Sequence, residues 1–235
     1  MFASVNASYP HTAILFFSNR PMHEGRRKRY WRGRNDRRNT ALAQQLSSHT
    51  QGVLAKTGLP VFHFHEGNQQ GASFGERLSN AYEALFAKGF DTVIAVGNDS
   101  PEIGQVDWNQ VLEQLTQGRL VIGPSKRGGA YLIGLHKSTF CRLRFQELPW
   151  QQPELFAVLQ AYGEHMGSIY QLPVLRDINW LGDIFALAQE VQLHSSGLTW
   201  LYLFVSGAVK KLFTPPRPLI STLASTPHQG RAPPC

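Results

Sequence analysis

Apolar residues in this chain gather alternately in short runs and in helically spaced sets. Residues 12–18, TAILFFS, form a compact apolar run suited to a buried strand. A basic stretch follows and reads as a loop, after which Ala41, Leu42, Leu46, Val53 and Leu54 suggest a helix from about Thr40, closed by Gly58 and Pro60. Residues 59–66, LPVFHFHE, alternate as a strand does, and residues 67–72, GNQQGA, read as a loop. SFGE at 73–76 fits a capping box, with Ser73 capping the amides and Glu76 reaching back to the cap's own amide. Phe74, Leu78, Ala81, Tyr82, Leu85 and Phe86 then keep helical spacing until Gly89. Strands are expected over 92–97, 119–123 and 131–135, with a helix over 106–118. Beyond Pro149 the pattern weakens to a helix at 153–165, a strand near 168–175 and a helix at 180–190.

Such alternation with short connections predicts an α/β fold: a mainly parallel sheet with helices on both faces. Ligands of such sheets sit beyond the carboxyl ends of the strands, near the point where strand order reverses. Residues 20–38, 98–101 and 124–129 each follow a strand and fall on that one rim. The expected organisation is one domain over 1–192, an apolar helix over 193–213 and a disordered tail, rich in proline and small polar residues, over 214–235.

Charge sharpens this picture by its location. The net charge is +7, and residues 20–38 alone carry nine cations against Glu24 and Asp36, so the remaining chain is formally neutral. One basic segment on a balanced domain does not describe a nucleic-acid-binding surface, and no nucleic-acid partner is favoured. Two cysteines, Cys141 and Cys235, exclude a disulfide framework and a cysteine metal cluster. The N-terminus lacks the pattern of a secretory signal. The longest mostly apolar uncharged run, residues 197–209, has thirteen residues where a membrane-spanning helix needs about 20. A cytoplasmic protein is expected, with the 198–213 stretch docking on the domain or making a weak membrane or protein contact.

DTVIAVGNDSPEIG, at 91–104, places Asp99 directly behind a strand. A turn carboxylate explains it, and so does a ligand for Mg²⁺ or Mn²⁺ on a diphosphate. Asp177, also between a strand and a helix, is the candidate second ligand, whereas Asp183 lies within the helical pattern and reads as structural. In the basic segment, Arg20, Arg27 and Lys28 are the candidate phosphate contacts, because guanidinium forks match phosphate oxygens. Gly128 and Gly129 suit either a tight turn or close approach of a ligand. His63 and His65 share a strand face without accompanying carboxylates and read as packing residues.

QGASFGERLSNAYEALFAKGFDTVIAVGNDSPEI, followed by GPSKRGGAYLIGL and ELPW, resembles the bacterial arsenosugar-biosynthesis-type glycosyltransferases of the nucleotide-diphospho-sugar transferase superfamily, over residues 12–190. The resemblance implies a Rossmann-like GT-A fold and a metal-dependent transferase. It implies that Asp99 is the metal-binding aspartate, that Gly71, Gly75, Arg77 and Asn98 help to build the donor pocket, and that Gly128 and Gly129 line its floor. LRDINWLGDI is similar to a segment that supplies acidic residues in related domains, which adds to the case for Asp177. Two departures mark a divergent member. The family's proline- and glycine-containing basic motif after the first strand is NRPMHEGRRKRYW here, and Arg127, itself a candidate nucleotide-sugar contact, stands where the family has an acidic residue.

The resulting expectation is transfer of a sugar from a nucleotide-diphosphate-sugar to an unknown acceptor, with Mg²⁺ or Mn²⁺ as cofactor. Nucleotidyl transfer from a nucleoside triphosphate is the rival enzyme reading. The rival from another class is a catalytically silent binding protein whose basic loop meets RNA or acidic lipid.

Overall fold

The computed structural model describes residues 9–28, 30, 31, 36–165, 167–190, 198–201, 203, 204 and 206. Its centre is one six-stranded sheet: β1 (Thr12–Phe17), β2 (Val61–Phe64), β3 (Thr92–Val96), β4 (Leu120–Pro124), β5 (Ala130–His136) and β6 (Ile169–Gln171), in the order β2-β1-β3-β5-β4-β6. β1 runs parallel to β2 and β3, and β4 runs parallel to β6. Only β5 is antiparallel to both of its neighbours. The expected mainly parallel α/β sheet is therefore present.

Successive residues of β1 and β3 are buried on opposite faces, which is why these strands read as unbroken apolar runs. Ala13, Leu15, Val93 and Ala95 meet α3 (Phe74–Phe86), α5 (Arg142–Gln146) and α6 (Leu155–His165) through Leu78, Tyr82, Phe145 and Leu159. Ile14, Phe16, Ile94 and Val96 face Leu54 of α2 (Asp36–Lys56), Ile103 of the 3₁₀ turn Pro101–Gln105, and Leu112 and Leu115 of α4 (Trp108–Thr116). A third cluster joins Tyr30 and Trp31, Leu42 and Leu46 of α2, Ile184 and Leu187 of α7 (Leu181–Glu190), and Leu198 and Leu201.

The capping box forms as expected: Glu76 N donates to Ser73 Oγ at 3.1 Å, and the Glu76 carboxylate accepts from Ser73 N. The basic segment departs from its expected loop, because Pro21–Lys28 forms α1. Proline at its first position, Glu24 in the first turn and Arg26, Arg27 and Lys28 in the last all suit the helix dipole. α2 starts at Asp36, before the expected Thr40, since polar residues carry its first turn and give no apolar signal. A side chain at Gly25 would meet Thr40 N at 2.6 Å, so glycine is what lets α1 pack against α2. The strand expected near 168–175 is confined to β6, followed by an isolated Ser125–Leu175 bridge.

Leu198 and Leu201 are buried against the domain, with helical backbone from Thr199 onwards among the described residues. The expected tail at 214–235 lies outside the described residues. No described helix is long and apolar enough to cross a membrane.

Candidate functional site

Strand order reverses around β1, whose two parallel neighbours lie on opposite sides of it. Beyond the carboxyl ends of β1 and β3 opens a cleft of about 500 Å³, a volume in the range of small-molecule sites. Of the residues singled out in the sequence, it brings together Arg27, Lys28, Arg77, Asn98, Asp99, Arg127, Gly129 and Asp177.

Lys28 lies at the inner end of α1. Its Nζ donates to Asp99 Oδ2 at 2.8 Å and to Ile178 O at 3.1 Å, and lies 3.4 Å from Glu24 Oε1. Glu24, one helical turn before it, is buried and accepts from Asn19 Nδ2 at 2.7 Å. Burial opposes the lysine charge, but Asp99, Tyr30 and Glu24 outweigh it and hold the ammonium above its usual range. Burial likewise pushes the Asp99 carboxyl up, and Lys28 reverses that to a net lowering.

Asp177 is held by three backbone bonds that lace its segment to the rim. Leu175 O accepts from Lys126 N at 3.0 Å, Ile178 N donates to Asp99 O at 2.7 Å, and Leu181 N donates to Tyr30 O at 3.1 Å. One Asp177 oxygen accepts from Asn179 Nδ2, whereas Oδ1 is buried with no hydrogen-bond partner among the described residues. Burial, and then the neighbouring Asp99 charge, raise the Asp177 pKa.

Two carboxylates close enough to repel one another, one with an orphaned oxygen, suit a divalent cation. Among the described residues there is no group of three or more His, Cys, Asp or Glu side chains arranged for a metal. A cation at Asp99 and Asp177 would therefore draw further ligands from phosphate or water, as Mg²⁺ ordinarily does.

Arg127, the charge-reversed position, pairs with Asp183, whose other oxygen accepts from Asn179 N at 2.8 Å and Trp180 N at 3.0 Å. Asp183 thus ties the Arg127 guanidinium beside the cleft to the backbone at the start of α7. Arg77 lines the wall with its Nη1 donating to Ala72 O at 3.0 Å.

Four expected residues lie off the cleft wall. Arg20 is engaged by Glu66, with its Nε 2.6 Å and its backbone N 2.8 Å from the carboxylate oxygens. Gly71, at φ +130°, turns the chain into α3, and an added Cβ would meet Arg77 N at 2.9 Å. At Gly75 that atom would lie 2.1 Å from Gln146 O and 2.6 Å from Trp150, so this glycine serves the packing of α3 on the 146–150 segment. Gly128, at φ +80°, makes the turn before β5 and sits against Pro153 O. His63 contacts Ser18 Oγ at 3.0 Å, and His65 Nδ1 accepts from Gly67 N at 3.0 Å, in keeping with local packing roles.

Sequence reasoning missed Glu24 and an aromatic strip. Phe17 meets Phe74 edge-on at 5.5 Å between centroids, and Phe74 meets Trp150 at 5.6 Å, all three lining the cleft. Glu24 and Lys28 stand four apart, a signal visible only once their segment is read as a helix. No sequence spacing relates Phe17, Phe74 and Trp150, which meet only through the fold.

Comparison with known proteins gives a family match over part of the chain and a shared fold. The family described as "Uncharacterized protein conserved in bacteria (DUF2064)" matches residues 37–152. No curated protein matches. The crystal structure of a provisionally named nucleotide-diphospho-sugar transferase from Desulfovibrio desulfuricans G20 is similar, with a TM-score of 0.70 and 21% identity over 86% of this chain and 97% of that one. At that identity the likeness shows a shared fold.

Proposed function

We propose that this protein binds a nucleotide-diphosphate-sugar in the cleft and transfers the sugar to an acceptor. The observation that carries this reading is the union, in one cleft at the carboxyl edge of the sheet, of charged side chains and an aromatic strip. Arg27, Lys28, Arg127, Asp99 and Asp177 line it, as do Phe17, Phe74 and Trp150, with Phe74 in ring contact with the other two. Cations matched to phosphate oxygens beside flat apolar faces suit a ligand that joins a diphosphate to a planar base. The shared fold and the motif resemblance both favour this ligand class, and the three motifs at 70–77, 97–101 and 123–135 favour the arsenosugar-type family within it.

In this reading Asp99 and Asp177 would hold Mg²⁺ or Mn²⁺, which would supply positive charge to offset that of the diphosphate. Arg27 and Arg127 contribute electrostatic stabilisation of the departing nucleoside diphosphate. Asp183 keeps Arg127 in place, so the charge reversal at 127 is compatible with a working cleft.

Calorimetric titration with nucleoside diphosphates and their sugar conjugates, with and without Mn²⁺, tests the proposal. The expected result is metal-dependent binding to one base, abolished by Asp99→Ala. Absence of binding to every nucleotide, or unchanged affinity in Asp99→Ala, refutes it. Pyrophosphate release from a nucleoside triphosphate would instead identify nucleotidyl transfer.

A further inference from the structure

A lysine ammonium has three N–H donors. Lys28 donates to Asp99 Oδ2 at 2.8 Å and to Ile178 O at 3.1 Å, and its Nζ forms an ion pair with Glu24 Oε1 at 3.4 Å, so three protein oxygens hold the ammonium. Yet Lys28 lines the cleft, and its side chain is only 12% exposed. Nearby, Asp177 Oδ1 has no hydrogen-bond partner among the described residues, although its carboxylate feels the charge of Asp99. Lys28 thus pairs with both Asp99 and Glu24, whereas among the described residues no ion pair is formed by Asp177, which feels Arg127 only through space.

We propose that Lys28 is an exchangeable cation: a divalent metal ion arriving between Asp99 and Asp177 displaces its ammonium from Asp99, and the freed ammonium turns to the ligand's phosphate. This rests on the reading of the cleft as a metal and diphosphate site. A doubly charged ion can serve both carboxylates, which the single ammonium does not. The flexible four-carbon stem of lysine allows the swing, and Glu24 and Ile178 O remain as anchors for the head group. Metal releases the phosphate-binding cation, and phosphate stabilises that cation away from the metal's ligand. The two ligands consequently favour each other, and the coupling is reciprocal.

The test uses the full chain and the loss of the free Mn²⁺ electron paramagnetic resonance signal on binding. Wild type and Lys28→Met are titrated with Mn²⁺ alone and again with pyrophosphate as the phosphate probe. Removal of the competing ammonium should tighten Mn²⁺ binding in the absence of phosphate by about tenfold, within the usual span of coupling between sites. Pyrophosphate should tighten Mn²⁺ binding strongly in wild type and much less in the variant. Lys28→Gln, which can still donate to Ile178 O, replaces the methionine variant should that one not fold.

Unchanged affinity for Mn²⁺ alone in Lys28→Met overturns the exchange. Equal pyrophosphate enhancement in both proteins, or no Mn²⁺ binding by wild type with pyrophosphate, overturns it as well. Exchange as described, together with no affinity for any nucleoside diphosphate, would retain the Lys28 device and defeat only the donor assignment.

Discussion

Replacing Asp183 separates two jobs that one carboxylate performs. Its side chain is 3% exposed, accepts from the backbone amides of Asn179 and Trp180, and pairs with Arg127. In Asp183→Ala both amides at the start of α7 lose their acceptor, a loss comparable to that of a helix cap, ~1–2 kcal/mol. The guanidinium of Arg127 is 45% exposed, so solvent screening limits its pairing to ~0.5–1 kcal/mol. The alanine variant should therefore lose about 1.5–3 kcal/mol. Asp183→Asn retains an oxygen for the amides and loses only the charge, so its cost should be ~1 kcal/mol or less. Urea unfolding followed by circular dichroism, with the slopes compared, reads both values. Equal losses in the two variants would show that the cap contributes nothing, and a loss under ~0.5 kcal/mol in alanine, the range of ordinary surface substitutions, would refute the whole assignment.

Gly75→Ala should destabilise by ~1–3 kcal/mol, because the new methyl would overlap Gln146 O and Trp150; thermal unfolding unchanged from wild type would disprove that packing role. Gly128→Ala should cost at least ~2 kcal/mol, combining a left-handed backbone with a contact on Pro153 O, and equilibrium unfolding checks it. Partial burial pushes the Glu66 carboxyl up, but hydrogen bonds from Arg20 outweigh it and lower its pKa from 4.5 to about 2. A lowered carboxyl pKa stabilises the fold above the ordinary value, and that contribution disappears as pH falls through the folded value. Wild type should thus exceed Glu66→Gln by ~0.5–1 kcal/mol at neutral pH, reduced by the exposure of Arg20. The gap should shrink between pH 4.5 and 2, and a gap independent of pH would contradict the pairing.

Strands buried on both faces and helices with a clear apolar stripe were legible because each carries its own period. β1, β3 and α3 emerge from spacing alone, and the Ser73–Glu76 box marks the start of α3. α1 was not legible as a helix, since it is polar apart from Met22 and holds its place through Gly25 against α2, a contact that local sequence does not reveal. Asp99 and Asp177 were recognisable from their positions behind strands. The ion pairs around the cleft were less so: Lys28 and Asp99 lie 71 positions apart, and Arg127 and Asp183 lie 56 apart. Arg20, Gly71 and Gly75 stood in motifs suggestive of a pocket, yet contacts with Glu66, Arg77 and Gln146 occupy them.

The third hydrophobic cluster crosses the domain boundary suggested by composition at residue 192. Leu198 and Leu201 share it with Tyr30, Trp31 and Leu42, and Phe204 stacks edge-on with Trp31 at 6.1 Å. Tyr30 lies two residues after Lys28, and its carbonyl anchors Leu181. The C-terminal segment is therefore coupled mechanically to the helix end that carries the cleft's lysine. Across related chains, substitutions at 30, 31, 198 and 201 should change together, and a chain shortened before Leu198 should show its damage in cleft geometry as well as in stability.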